Sequence, residues 1–223
     1  MLRLVCPDLE IDKDDPLSGN APGRIAIREL GKTDTPEAWD ADVKVERVSA
    51  IDIIAGEPPR VLLSFAVTSD TSVPDRALAL FELGPTPRLV DAVMVPGFPD
   101  DTGDYSSRLS LSSNSAAYVF SAYHYNSSQG YESAKILFVN GIRIEPVEEL
   151  GLLSCNRIGE AQGFQESIDI SSAPDPGRLY GKIVIRVTFK WVADPPDSEH
   201  RPLRRASTRY YTCLLYTSDA ADE

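Results

Sequence analysis

The chain has 223 residues, with 34 acidic against 22 basic side chains and a formal net charge of −12. Such a surface repels a long polyanion on average, and nucleic-acid binding needs a clustered basic patch. The basic cluster here is only Arg201, Arg204, Arg205 and Arg209, so nucleic acid and anionic membranes are not expected partners. The apolar runs are short, such as Val61-Leu62-Leu63 and Ile136-Leu137-Phe138-Val139, far below the roughly 20 residues a membrane helix needs, and no membrane span is predicted.

Residues 1–42 read as an N-terminal arm or linker rich in Asp, Pro and Gly. The start, Met1 to Pro7, lacks the apolar segment of a secretory signal. One short strand is predicted over 24–28, where Ile25 and Ile27 share a face. Glu10, Asp12 and Asp14 read as a solvated stretch. From Val43 onward the pattern becomes period-two alternation bounded by turn residues, the mark of half-buried strands. Ile183, Ile185, Val187, Phe189 and Trp191 alternate with Val184, Arg186, Thr188 and Lys190, and Val61, Leu63, Phe65 and Val67 alternate with Leu62, Ser64, Ala66 and Thr68. The fold class expected is all-β, in one domain over 43–212.

Three stretches superpose on one another. The first has strands at 50–53, 61–69, 76–84 and 88–95, the second at 108–111, 118–126, 133–141 and 142–147, and the third at 167–170, 182–191 and 206–212. Ser64 matches Ser121, Phe81 matches Phe138 and Gly84 matches Gly141, each at a separation of 57. The expected unit is four consecutive antiparallel strands; the alternative is a β-sandwich whose strand spacing happens to look repetitive. Residues 76–83 carry helix-favouring Ala, Leu, Arg and Glu, but their match to the β-prone run Lys135 to Val139 assigns them to a strand. Helix should be scarce, confined to turns near 36–40 and 145–150.

The densest set of stacking and hydrogen-bonding groups is Tyr123, His124, Tyr125, Asn126, Gln129, Tyr131 and Glu132, at the turn between two strands. Such loops carry recognition more often than cores do, and tyrosine with adaptable polar side chains suits a binding surface. The expected ligand is a glycan, a peptide or a protein segment. The competing reading is a plain hairpin whose tyrosines pack on neighbouring strands. Asn126-Ser127-Ser128 also fits a glycosylation acceptor. Asp100, Asp101 and Asp104 surround Gly103 and are candidate ligands for calcium, which takes oxygen donors on turns; no other cofactor is expected.

With only His124 and His200, a histidine-based triad or multi-histidine zinc site is nearly excluded, and no phosphate-binding or dinucleotide loop is present. No catalytic residue is assigned. A glycoside hydrolase would need two carboxyls about 5 to 9.5 Å apart, which Asp101, Asp104 or Glu132 would have to supply. The function expected is therefore a binding or scaffold module, with a carbohydrate-active hydrolase as the alternative.

A run of such four-stranded units resembles the blades of bacterial β-propeller-type repeat proteins, which close rings of 4 to 8 blades. The resemblance implies about three partial blades, and Asp100 to Asp104 resembles the acidic calcium loops of some propeller repeats without their alternating spacing. Residues 213–223, from Cys213 to Glu223, resemble translated adapter from transposase-based sequencing libraries, which implies a non-native tail and a third unit cut short. Setting that tail aside leaves 31 acidic and 22 basic residues, a net charge of −9. It also leaves two cysteines, Cys6 and Cys155, which are read either as one disulfide in an exported protein or as two independent thiols. The 16 Arg against 6 Lys fit a high-GC bacterial source, and export to the periplasm or beyond is the expected localisation.

Overall fold

A computed structural model describes residues 1–15, 18–21, 25–31, 37–38, 43–69, 75–99, 103–112, 115–126, 129–158, 162–193 and 204–212. Within these, only the backbone is described for 37–38, 69, 96–99, 103–106, 123–126, 129–132, 152–158, 162–166, 189–193 and 204–212. The described chain is all-β apart from a 3-10 turn at Leu2–Leu4. The first sheet comprises β1 (Glu10–Ile11), β2 (Gly19–Ala21), β3 (Ala26–Glu29), β4 (Glu37–Ala38), β5 (Val43–Ile54), β6 (Arg60–Ser69), β7 (Asp75–Glu82) and β8 (Arg88–Pro99), in the order β1-β2-β5-β6-β7-β8-β3-β4. The second comprises β9 (Gly103–Ser110), β10 (Ala116–Asn126), β11 (Gln129–Val139), β12 (Ile144–Ile158), β13 (Gln162–Ala173), β14 (Lys182–Ala193) and β15 (Arg204–Thr212), hydrogen-bonded in sequence order. Pairings are antiparallel except β3 with β8. Neither sheet closes into a barrel or a propeller among the described residues.

Residues 76–83 lie almost wholly in β7, as the sequence match predicts and against their helix propensity. Tertiary pairing on both sides decides the matter, since β7 hydrogen-bonds to β6 and β8 along its length. The turn expected at 145–150 is overturned: these residues continue β12. Within that strand Pro146 sits beside a bulge, where Leu137 faces Pro146 and Ile136 faces Glu148, leaving Val147 as the extra residue. A bulge is one of the few places where a strand tolerates proline.

The core is layered. A middle layer joins Ile54, Leu62, Leu78, Leu80, Val93 and Val95 of the first sheet to Ala116, Tyr118, Phe120, Leu137, Val139 and Ile144 of the second. The outer face of the first sheet, with Val61, Phe65, Ala77, Ala79 and Phe81, is covered by Val5, Cys6, Leu9, Ala21, Ile25 and Ile27 of the N-terminal arm. A third cluster unites Ala117, Val119, Ile136 and Phe138 with Ile183 and Ile185 of β14. In a flat sheet β10 and β14 would stand four strand spacings apart, about 19 Å, too far for side chains to meet. The second sheet therefore turns over on itself. The turn falls at β12 and β13, which pair only through Asn156, Arg157 and Ile158 against Phe164, Gly163 and Gln162.

Cys6 is fully buried and is a free thiol, with burial pushing its pKa up to about 11. The bridge to Cys155 considered from the sequence is thus not made by Cys6 here. Cys6 lies in the cluster beneath the arm, whereas the backbone of Cys155 lies opposite Gly130 in the second sheet; the Cys155 side chain is outside the described residues.

One polar contact joins arm, first sheet and second sheet. Arg28 donates from Nε and Nη2 to the two carboxylate oxygens of Asp91 at 2.9 and 2.6 Å, and from Nη2 to the carbonyl of Ile144 at 2.7 Å. Asp91 in turn accepts from the Ile144 N–H at 2.8 Å. The two side chains are only 7% and 9% exposed. Removing one partner of a buried pair strands the other charge, so Asp91→Ala should lower the unfolding free energy by about 3 to 5 kcal/mol in a urea melt, while Arg28→Met with Asp91→Leu should cost clearly less. Without any reductant, Cys6 should resist iodoacetamide in the folded protein and react fully once unfolded, read by peptide mass spectrometry; a Cys6 that reacts only after reduction would contradict the free thiol.

Candidate functional site

The layers have two ends, and the tyrosine-rich hairpin lies at one. Strand register carries the β10 and β11 hairpin outward through Tyr123 opposite Glu132, His124 opposite Tyr131, Tyr125 opposite Gly130 and Asn126 opposite Gln129. On the other flank of β10, Ser121 lies opposite Asp104 and Ala122 opposite Gly103. The backbone thus brings the start of the tyrosine-rich hairpin and the end of the acidic segment to adjacent positions on one strand. The side chains of residues 123–126, 129–132 and 104 lie outside the described set, as do Asp100 and Asp101 altogether. The basic cluster Arg204, Arg205 and Arg209 is placed on β15 by backbone alone, and residues 194–203 and 213–223 lie outside the described residues.

Described side chains at the same end form a buried polar cluster that the sequence reading did not single out. Arg76 and Lys135 are each 6% exposed and sit on the faces of β7 and β11 that look into the middle layer. The Arg76 guanidinium lies over the Phe120 ring at 5.4 Å, and its Nη1 donates to Ser64 Oγ at 3.4 Å. Lys135 Nζ is 3.4 Å from Glu149 Oε2. The Asp75 carboxyl is held above its ordinary pKa by burial, an effect that the Lys135 charge partly offsets. Lys and Arg are almost never this buried unless paired, and stacking on an aromatic face adds cation–π attraction. The signal in the sequence was a basic residue at an inward position just ahead of an apolar run: Arg76 ahead of Ala-Leu-Ala-Leu-Phe, and Lys135 ahead of Ile-Leu-Phe-Val.

The second end is built differently. Asp52 of β5 accepts from Tyr118 Oη at 2.7 Å and from Arg108 Nε at 2.6 Å, and Arg108 Nη1 donates to Ser110 Oγ at 2.6 Å. Burial, then the bond to Asp52, pushes the Tyr118 phenol above its ordinary range. Ser110 also lines an open depression of about 450 Å³ between the end of β9 and the connection from β13 to β14, with Ser112, Ser172, Asp175, Arg178 and Leu179 around it. The Gly181 N–H donates to the Leu111 carbonyl at 2.8 Å and ties its two walls. Its one carboxylate is Asp175, so it lacks the two closely spaced carboxyls of a glycoside hydrolase. Among the described residues no group of three or more His, Cys, Asp or Glu is placed to hold a metal, and no helix is long and apolar enough to cross a membrane.

No family model matches the chain, and neither a curated protein nor a solved structure matches it.

Asp75 provides a pH test of the buried cluster. Its folded pKa lies above the ordinary value of 3.8, so its contribution to stability is fully present below that value and is lost as the pH rises through the folded pKa. At pH 7 the charged form is penalised. Asp75→Asn should therefore raise the melting temperature slightly at pH 7, and its advantage over the parent should shrink as the pH falls through the carboxylate range; an advantage that grows on acidification would contradict the assignment.

Proposed function

We propose that this chain is a β-repeat binding or scaffold module of propeller-like kind from an exported bacterial protein, with its ligand site at the hairpin end of the layers. The observation that supports this reading is the stacking itself. Successive antiparallel strand sets, β5 to β8, β9 to β12 and β13 to β15, pack face to face across two apolar layers. A stack of that kind presents its strand connections in rows at two ends, where loops are free to vary without disturbing the core.

The ligand class that suits Tyr123, His124, Tyr125, Asn126, Gln129, Tyr131 and Glu132 is a glycan, peptide or protein segment. Tyrosines would supply stacking area, and the amides and Glu132 would set orientation. Asp100, Asp101 and Asp104 would lie beside that surface, where a calcium ion held by them could order the approach. The alternative of a carbohydrate-active hydrolase gains nothing from the depression around Asp175.

The test is a pair of variants, Tyr125→Ala and Tyr131→Ala, examined on glycan and peptide arrays and in denaturant melts. Under the proposal both keep their stability within about 0.5 kcal/mol, as surface changes do, and lose ligands that the parent retains. A loss of about 3 to 5 kcal/mol in both, the signature of a buried aromatic cut to alanine, would end the binding-loop reading.

A further inference from the structure

Arg60 opens β6 at the end of the layers opposite the tyrosine hairpin. Its Cα partner on β5 is Ile54, buried in the middle layer, and its partner on β7 is Glu82. Side chains of directly opposed residues share a face, so Arg60 belongs to the mouth of the cleft between the two sheets. Its Nη1 reaches the turn that joins β11 to β12, where a Cβ built on Gly141 would come within 3.1 Å of it. Gly141 also has φ +90°, so glycine is required there both for the turn and for the arginine to lie across it. Asn140 Oδ1 holds that turn by accepting from the N–H groups of Ile142 and Arg143.

Among the described residues no group meets the Arg60 Nε. Glu82, the carboxylate opposite it, is taken by Arg88 at 2.9 Å. Arg60 Nε is buried with no acceptor, and among the described residues the Arg60 side chain makes no hydrogen bond or ion pair. A guanidinium offers five donors in a planar fork that fits a carboxylate edge-on, and leaving a buried donor unmet is costly. The same end carries a large exposed apolar side chain, Ile142 beside Gly141, 64% exposed.

We propose that Arg60 and the turn at Gly141 form a binding site for a carboxylate carried on an apolar body, the guanidinium taking the carboxylate and Ile142 taking the apolar part. The site is independent of the tyrosine hairpin, being at the other end of the strands, and stands or falls without it. The probe is 3-phenylpropionate, compared with acetate and inorganic phosphate at fixed ionic strength. The readout is the Arg60 Nε–H nuclear magnetic resonance signal, assigned by its absence in Arg60→Lys. A saturable shift with phenylpropionate, weaker with acetate and with phosphate, is the expected result. Arg60→Gln should weaken phenylpropionate binding by at least about tenfold, followed at the backbone signals of Ile142 and Gly141. Ile142→Ser should bring phenylpropionate down toward acetate.

An Arg60 signal that phenylpropionate leaves in place, or that phosphate moves equally, overturns the proposal. So does undiminished binding to a folded Arg60→Gln protein. Should Arg60→Gln fail to fold, the parent titration and the exposed-site variant Ile142→Ser decide alone: equal affinity of that variant for phenylpropionate would overturn the apolar half of the site, and with it the proposal.

Discussion

Strand β7 is buried on both faces, and most of the architecture follows from that constraint. Ala77, Ala79 and Phe81 point one way into one apolar cluster, and Leu78 and Leu80 point the other way into a second. The same holds for β11, where Leu137 and Val139 face the middle layer and Ile136 and Phe138 face the third. An antiparallel sheet with one wet face could alternate apolar and polar residues; these strands do not, so each needs a cover on either side. The second sheet covers the inner face of the first, and its own turn at β12 and β13 covers its outer face. The outer face of the first sheet falls to the arm, which packs Val5, Cys6, Leu9, Ile25 and Ile27 against it. The arm thus completes a core rather than merely linking to one.

Apolar burial has no direction, and the polar contacts supply it. Flat faces rich in Ala, Leu and Val could slide over each other with little loss of area. Arg28, Asp91 and Ile144 forbid that slip by joining β3, β8 and β12 through paired, directional bonds. Asp52, Tyr118 and Arg108 pin the same two sheets between β5, β9 and β10. Toward the hairpin, the Arg76 guanidinium on the Phe120 ring joins β7 to β10. Buried charge pairs are poor sources of net stability, but they are strict about geometry, and here each sits where one layer must register on another.

Local pattern made the strands legible and left their partners hidden. Alternation and turn residues mark part of every strand from β5 onward, because half-buried strands write their faces into a period of two, but most of β12 went unmarked. The arm was readable only as Ile25 and Ile27 on one face, since nothing local says that they run parallel to β8. The pairing of Arg28 with Asp91 spans 63 residues, and a sequence holding 22 basic and 34 acidic side chains offers far too many such pairs to choose one. The unmet guanidinium of Arg60 was equally invisible, because it depends on Glu82 being claimed by Arg88. Around the tyrosine hairpin the alternation marks strands at 118–126 and 133–141, whereas the ladder runs further, to Asn126 opposite Gln129.

The repeat matches hold a subtler lesson about register. A constant separation of 57 maps Ser64 onto Ser121 and Leu78 onto Lys135, yet Ser64 lies opposite Leu78 while Ser121 lies opposite Ala134. One strand of the pair has slipped by a residue, and a slip of one exchanges the faces of every side chain. Its effect is visible in the layers. Phe81 faces the outer cluster of the first sheet, whereas Phe138 faces the third cluster, each pointing away from the shared middle layer. For units stacked in one direction, Leu62 and Leu80, which face onward from the first sheet, should instead correspond to Val119 and Ile136, which face onward from the second. That relation keeps a separation of 57 on β6 and β10 but takes 56 on β7 and β11, which is the slip that the strand registers require. Identity at fixed spacing therefore aligns Ser64 with Ser121 in the stacked sense and Phe81 with Phe138 in a mirrored one, and only the register, not the residue type, tells the two apart.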